Sequence, residues 1–210
     1  MTIWDNIYKD YQRGGEAWAT IKEGIIPQFA DFIKNNKFNQ KRALDIGCGT
    51  GKYLVYLKEF GFKTDGIDSS ETVIETSRKL VNQESCLGCV NMFNFDIPLN
   101  KYDLIYSIST IHHGLKEQVI DLIDKIYNSL LPGGRIFITL PNIEISNKRE
   151  TIKDHEELAP GTYAPMSGPE KGLAHSFFAK DEIKNILSKF KDLHIELDEI
   201  GRWIITAGKK

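Results

Sequence analysis

The chain has 210 residues, 41% of them hydrophobic and 27% charged, which suits one soluble globular domain or one domain with a small appendage. A formal charge of -2 and a pI near 6.2 argue against a general nucleic-acid surface, and three cysteines are too few for a disulfide scaffold and fit a reducing cytosol. No apolar stretch approaches the ~20 residues of a membrane helix, and Met1-Thr2-Ile3-Trp4-Asp5 lacks a basic region followed by an apolar core, so neither a membrane span nor a secretory signal is expected and the location expected is cytoplasmic.

In chain order, residues 1–40 read as a helical cap. Trp4, Tyr8 and Tyr11 recur at near-helical spacing until Gly14-Gly15 breaks the pattern. A second helix is predicted over about Ala17–Asn35, with Ile21, Ile25, Phe29, Phe32 and Ile33 on one stripe and a kink at Pro27. Residues 41–210 read as the main domain. Strand Arg42–Ile46 precedes a helix over about Gly51–Phe60, and strand Lys63–Ile67 precedes a helix over Glu71–Asn82. A third strand is predicted at Val90–Phe95 and a fourth at Tyr102–Ser107. The helix Lys116–Leu130 is stopped by Leu131-Pro132-Gly133-Gly134, and Arg135–Leu140 forms the fifth strand. Residues 141–178 break this rhythm and are expected to be an insertion covering the substrate. A helix around Ile183–Phe190 follows, then Leu193–Ile200 and Arg202–Ala207 as a terminal hairpin. Strands alternating with helices imply βαβ units and a largely parallel sheet.

The densest signal is Ala43-Leu44-Asp45-Ile46-Gly47-Cys48-Gly49-Thr50-Gly51, an apolar strand ending in an acid and a glycine turn. Glycines at alternate positions let backbone approach a ligand closely. Asp45 suits a cationic ligand group better than a pyrophosphate, which points to S-adenosylmethionine with its amine and sulfonium. A P-loop needs four residues between its first glycine and Gly-Lys-Ser/Thr; here Gly47 and Gly51-Lys52 are separated by three, and Tyr53 follows. The dinucleotide fingerprint G-x-G-x-x-G is likewise not met, which demotes an NAD-linked oxidoreductase. Cys86-Leu87-Gly88-Cys89 is a C-x-x-C without a second ligand pair, so it reads as an incidental loop pair.

Further matches follow in order: Gly66-Ile67-Asp68-Ser69-Ser70, Asn94-Phe95-Asp96-Ile97, Tyr102-Asp103-Leu104-Ile105-Tyr106-Ser107 and Leu131-Pro132-Gly133-Gly134. With the glycine turn they resemble the class I S-adenosylmethionine-dependent methyltransferases of small-molecule type, over about residues 42–208. The resemblance implies an α/β fold, a three-layer αβα sandwich whose seven-stranded, mostly parallel sheet carries a C-terminal antiparallel hairpin strand. It implies S-adenosylmethionine as cofactor and S-adenosylhomocysteine as product. Gly47, Cys48 (through its backbone), Gly49 and Gly51 would cradle the cofactor. Asp68, with Ser69, would accept the ribose hydroxyls, and Asp96 would meet the adenine amino group between Phe95 and Ile97. Ser107 ends the fourth strand at the cofactor, and Tyr11 on the cap would approach the cofactor carboxylate.

The tip Ser107-Ile108-Ser109-Thr110-Ile111-His112-His113 faces the transferable methyl in this family. Some members carry acids at the positions of Ser109 and His112 and use a metal. Both acids are absent here, so no metal site is expected. His113 and, in the insertion, His175 are the candidate catalytic residues. The tip lacks the Asn/Asp-Pro-Pro-Tyr/Phe motif of base-amine methyltransferases, yet it resembles that of some tRNA wobble-uridine enzymes. A small-molecule acceptor is therefore expected. The alternatives are an RNA substrate, with Lys34, Lys37, Lys41, Arg42 and Lys148-Arg149 as basic clusters, and a non-catalytic cofactor-binding subunit. A monomer or homodimer is expected.

Overall fold

The computed structural model describes residues 2–14, 24–81 and 85–210. Trp18, and the expected first turns of the second helix from Ala17, lie outside them, as does Asn82.

Helix α1 (Ile3–Gln12) starts at Thr2, whose hydroxyl accepts from the Asp5 N–H while the Asp5 carboxylate accepts from the Thr2 N–H. Helix α2 (Pro27–Asn35) begins at Pro27 instead of being kinked there, since a fixed φ and a missing N–H cost nothing in a first turn. The alternation then follows as β1 (Arg42–Ile46), α3 (Lys52–Glu59), β2 (Lys63–Asp68), α4 (Glu71–Leu80), β3 (Leu87–Cys89), β4 (Tyr102–Ser107), α5 (Lys116–Ser129) and β5 (Leu130–Leu140). Next come α6 (Ile143–Lys148), β6 (His155–Ala159), β7 (Thr162–Pro165), β8 (His175–Ser176), α7 (Lys180–Ile186), β9 (Lys191–Leu197) and β10 (Trp203–Gly208).

Seven strands form one sheet in the order β3-β2-β1-β4-β5-β10-β9. All pairs are parallel except β10, which runs antiparallel to both β5 and β9. Successive residues along each central strand enter opposite cores, as strand pleating requires. Leu44, Ile105, Ile136 and Ile205 join Val119, Ile123 and Ile126 of α5 and Ile183 of α7. Their neighbours Ala43, Leu104, Phe137 and Ile204 join Phe29 and Phe32 of α2 and Tyr53 and Leu57 of α3. Helices thus cover both faces, and a buried parallel sheet explains the near-continuous apolar runs of β4 and β5. The chain winds outward from β1 to β3 and returns to β4 beside β1, so the carboxyl ends of β1 and β4 flank the topological switch point.

Two strands differ from the sequence reading. The third ends at Cys89, before the predicted Val90–Phe95, because Asn91 turns the chain: its side-chain oxygen accepts from the Phe93 N–H at 2.9 Å and its carbonyl from the Asn94 N–H at 3.0 Å. The fifth starts at Leu130, with Pro132-Gly133-Gly134 carried as an irregularity between the pairs Tyr102↔Leu130 and Leu104↔Arg135. Cys86 and Cys89 are exposed free thiols at the β3 edge. The segment 141–178, expected as an insertion, holds α6 and a three-stranded antiparallel sheet, β6-β7-β8. Its ends are stapled where it leaves and rejoins the domain, the Phe178 N–H donating to the Pro141 carbonyl at 3.0 Å. Among the described residues no helix is long and apolar enough to cross a membrane.

Candidate active site

A cavity of about 580 Å³ opens at the switch point. Its floor is the glycine turn. Gly47 and Cys48 both donate to the Ile67 carbonyl, at 2.8 and 2.9 Å, which clamps the turn onto the end of β2. Gly47 has φ +82°, and a Cβ there would run into the Thr110 side chain. At Gly49, φ +51°, a Cβ would stand 3.3 Å from the Tyr8 hydroxyl. Thr110 and Tyr8 thus close directly over bare backbone, and both glycines line the cavity wall, where a ligand can approach the main chain. Gly51 is instead the left-handed cap of α3, beside Ser77 and off the cavity wall.

Two carboxylates face this floor. Asp45 is 3% exposed; burial pushes its carboxyl well above the ordinary range, against the pull of Tyr106 and Lys52 and with reinforcement from Asp68. The Tyr106 phenol lies near enough to favour the Asp45 charge without closing a well-formed hydrogen bond. Asp68 accepts from the N–H groups of Gly49 and Ser70, both at 3.0 Å, yet burial still raises its carboxyl. Desolvated carboxylates of this kind favour a ligand that brings a cation and hydroxyl donors. Ser69 shares the wall. The Cys48 thiol is also pushed up, by burial and then by Asp45 and Asp68, which leaves it no nucleophile.

The remaining predicted cofactor residues fall elsewhere. Asp96 is exposed, Ile97 is buried in the core, and Phe95 packs against that core. Because β3 ends early, Val90, Asn91, Met92 and Phe93 supply the wall instead. The missed signal was Asn91, a turn former directly after the strand. Ser107 is fully buried and donates to the Ile46 carbonyl at 2.7 Å, tying β4 to β1 beneath the cavity. Tyr11 lies off the wall; one turn earlier, Tyr8 lines it with Thr2, Ile3 and Trp4.

At the far end stands the β4 tip. Ser109 has φ +56°, a left-handed conformation that costs a non-glycine residue about 1 kcal/mol or more. It is held there by its N–H donating to Thr139 Oγ1 at 2.7 Å and by Arg202 Nη1 donating to its Oγ at 2.6 Å. Arg202 is itself fixed by Asp198, Nε to Oδ2 at 2.6 Å. Strain held by two partners at a cavity wall is characteristic of functional positions. The structure brings His113 and His175 together here, ring centroids 4.8 Å apart, and His112 joins them at 4.0 Å from His113. Trp4 packs edge-on against His113 at 4.8 Å. Burial, then the neighbouring imidazoles, lowers His112 well below the ordinary histidine range and His113 to about 3.

The sequence pattern of the methyltransferase-domain family matches residues 18–191, most of the chain. The chain belongs to the class I S-adenosylmethionine-dependent methyltransferases. It is 32% identical over 174 residues to an uncharacterised methyltransferase of Staphylococcus carnosus, covering 80% of this chain and 78% of that one. It is 30% identical over 154 residues to a probable tRNA methyltransferase 9B of Mus musculus, covering 71% of this chain but only 32% of that protein. The chain thus spans about a third of that relative. Among solved structures, a Burkholderia thailandensis 1,6-didemethyltoxoflavin-N1-methyltransferase, with 1,6-didemethyltoxoflavin and S-adenosylhomocysteine bound, superposes with a TM-score of 0.68 at 15% identity, over 98% of this chain and 86% of that one. The glycine turn and the desolvated carboxylates fit the adenosyl and amine groups of S-adenosylmethionine, the methyl donor for which this family is named.

Proposed function

We propose that this methyltransferase methylates a small-molecule acceptor held between the β4 tip, α1 and the 141–178 insertion. The observation that carries the reading is the bounded cavity, about 580 Å³ and within the range of small-molecule sites, with polar groups converging at its far end. Of the basic residues an RNA face would use, three are engaged within the protein: Lys41 donates to the Phe60 carbonyl, Arg42 pairs with Asp65, and Arg149 donates to the Ile200 carbonyl.

When bound, the cofactor supplies a methyl group already activated on a sulfonium. In this reading Asp68 and Ser69 hold the ribose, Asn91 meets the adenine edge, and Asp45 balances the amine. Helix α1 acts as a lid, with Trp4 and Tyr8 excluding water and aligning the reactants, which is the larger part of catalysis for such a displacement. On this reading His113 and His175 line the end of the cavity where the acceptor's reacting atom sits, and Glu170, beside His175, can receive its proton.

Calorimetric titration with S-adenosylmethionine, S-adenosylhomocysteine and NAD tests the cofactor half, on the wild type and on Asp68→Ala and Asp68→Asn. Both adenosyl ligands should bind and NAD should not, with affinity falling at least about tenfold in both variants. A methyl-labelled donor incubated with small-molecule extract or with bulk tRNA tests the acceptor half. Label in the tRNA alone overturns the small-molecule reading.

A further inference from the structure

We infer that His112, His113 and His175 form a binding site for a divalent transition-metal ion, with an open coordination position for the acceptor's oxygen or sulfur atom. One nitrogen from each ring can be chosen so that all three lie within 4.8 Å of one another. Three donors around a tetrahedral ion with bonds of about 2.0–2.1 Å stand roughly 3.3 Å apart, so closing the site takes side-chain rotations of an ångström or so. The three come from two elements that are locked together. The Ser176 N–H donates to the His112 carbonyl at 2.8 Å, and the Ser176 hydroxyl donates to the Gly114 carbonyl at 2.6 Å.

Two further observations point to a cation. The Nδ1 atoms of His112 and His113 are buried with no hydrogen-bond partner. Orphaned donors or acceptors of this kind are rare and ask for a partner. The second concerns His175. Its Nδ1 faces the Leu173 carbonyl at 2.8 Å, and a carbonyl only accepts, so this nitrogen carries the hydrogen. Its Nε2 stands 3.2 Å from Glu170 Oε2. A ring with one nitrogen tied to a backbone carbonyl and the other beside a carboxylate, packed against two further imidazoles, has the surroundings that orient metal-binding histidines. Imidazole donors suit zinc, copper, iron or nickel over magnesium. Sequence reasoning expected no metal because it looked for acids at Ser109 and His112; the third ligand, His175, lies 62 residues beyond His113 and is brought in by the insertion.

The role in transfer rests on the small-molecule reading above; the site itself does not. An acceptor O–H or S–H bound at the open position gives its proton to Glu170. Its lone pair forms the bond to the methyl carbon, and the carbon–sulfur bond breaks with both electrons remaining on sulfur.

The test is titration of tag-free, chelator-treated protein with Co²⁺, read by visible ligand-field absorption, with Zn²⁺ displacement and Mg²⁺ as the hard-cation control. One Co²⁺ per chain with visible bands, displaced by Zn²⁺ and not by Mg²⁺, is expected. His112→Gln and His175→Asn should each weaken binding at least about tenfold, while His194→Ala, on the exposed β9 edge, leaves it unchanged. S-adenosylhomocysteine binding by the same variants shows that they are folded and separates this result from a failed cofactor assignment. Absence of Co²⁺ binding in the wild type, or equal binding in folded His112→Gln and His175→Asn, overturns the proposal.

Discussion

Replacing Asp5 with alanine should unfasten α1 from the rest of the domain and weaken cofactor binding without unfolding the sheet. The Asp5 carboxylate accepts from the Ser70 hydroxyl at 2.7 Å, and from the Thr72 hydroxyl and N–H at 3.3 and 3.4 Å, all at the start of α4. It also closes the capping box of its own helix. The Ser70 bond is buried and charge-assisted, so its loss costs about 1.5–3 kcal/mol. If that free energy holds α1 over the cavity, affinity for S-adenosylhomocysteine falls by about 10- to 100-fold. The bond should also be pH-dependent. Burial favours the neutral acid, but the bonds from Ser70, Thr2 and Thr72 outweigh it and hold Asp5 down to about 2, against 3.8 unfolded. A folded value below the unfolded one stabilises above pH 3.8, and the contribution is lost as pH falls from there through about 2. Hydrogen exchange over residues 2–13, with calorimetry of Asp5→Ala, Ser70→Ala and the double variant, measures both effects. Unchanged exchange of α1 and unchanged affinity in Asp5→Ala would refute the reasoning, as would strict additivity of the two substitutions.

Gly47→Ala should abolish cofactor binding, because the new methyl meets Thr110 in a left-handed backbone; the added Thr110→Gly change should restore part of it in the same titration. Phe29→Ala should cost about 3–5 kcal/mol in urea unfolding, since Phe29 is fully buried with ring contacts at 5.0–5.2 Å to Tyr53, Tyr106 and Phe137; a loss under about 1.5 kcal/mol would contradict that packing. Ser176→Ala removes the hydroxyl bridging Thr162 and the Gly114 carbonyl, so amides of 155–176 should exchange faster while those of β1 and β4 do not.

The parts legible in sequence are those where one local pattern fixes one local structure. The glycine turn after β1, and the acids Asp45 and Asp68 at adjacent strand ends, needed only strand periodicity and the strand order implied by alternating helices. Where a tertiary choice intervened, the reading slipped by one turn or a few residues. Tyr11 and Tyr8 share a helical stripe, and only the docking of α1 through Asp5 decides which reaches Gly49. Phe95, Asp96 and Ile97 look like an acid between two apolar side chains set to sandwich a ring. Yet Ser129 donates to the Ile97 carbonyl at 3.1 Å, which draws that segment onto α5 and leaves Asn91 at the wall.

The histidine cluster shows the same limit in its strongest form. His112 and His113 announce themselves as neighbours, but one more ligand turns a pair into a chelating set, and His175 arrives through a segment with no periodicity to read. Its position follows from pairing within the small sheet, Tyr163↔His175 and Thr162↔Ser176, and from the Ser176 N–H meeting the His112 carbonyl. On the reading proposed above, the insertion brings an end of the active site with it, rather than only covering a finished one. On that same reading, related chains sharing the glycine turn and the two carboxylates can hold the same donor while differing in acceptor, because the donor half is written in the sheet and the acceptor half in what the insertion delivers to the β4 tip.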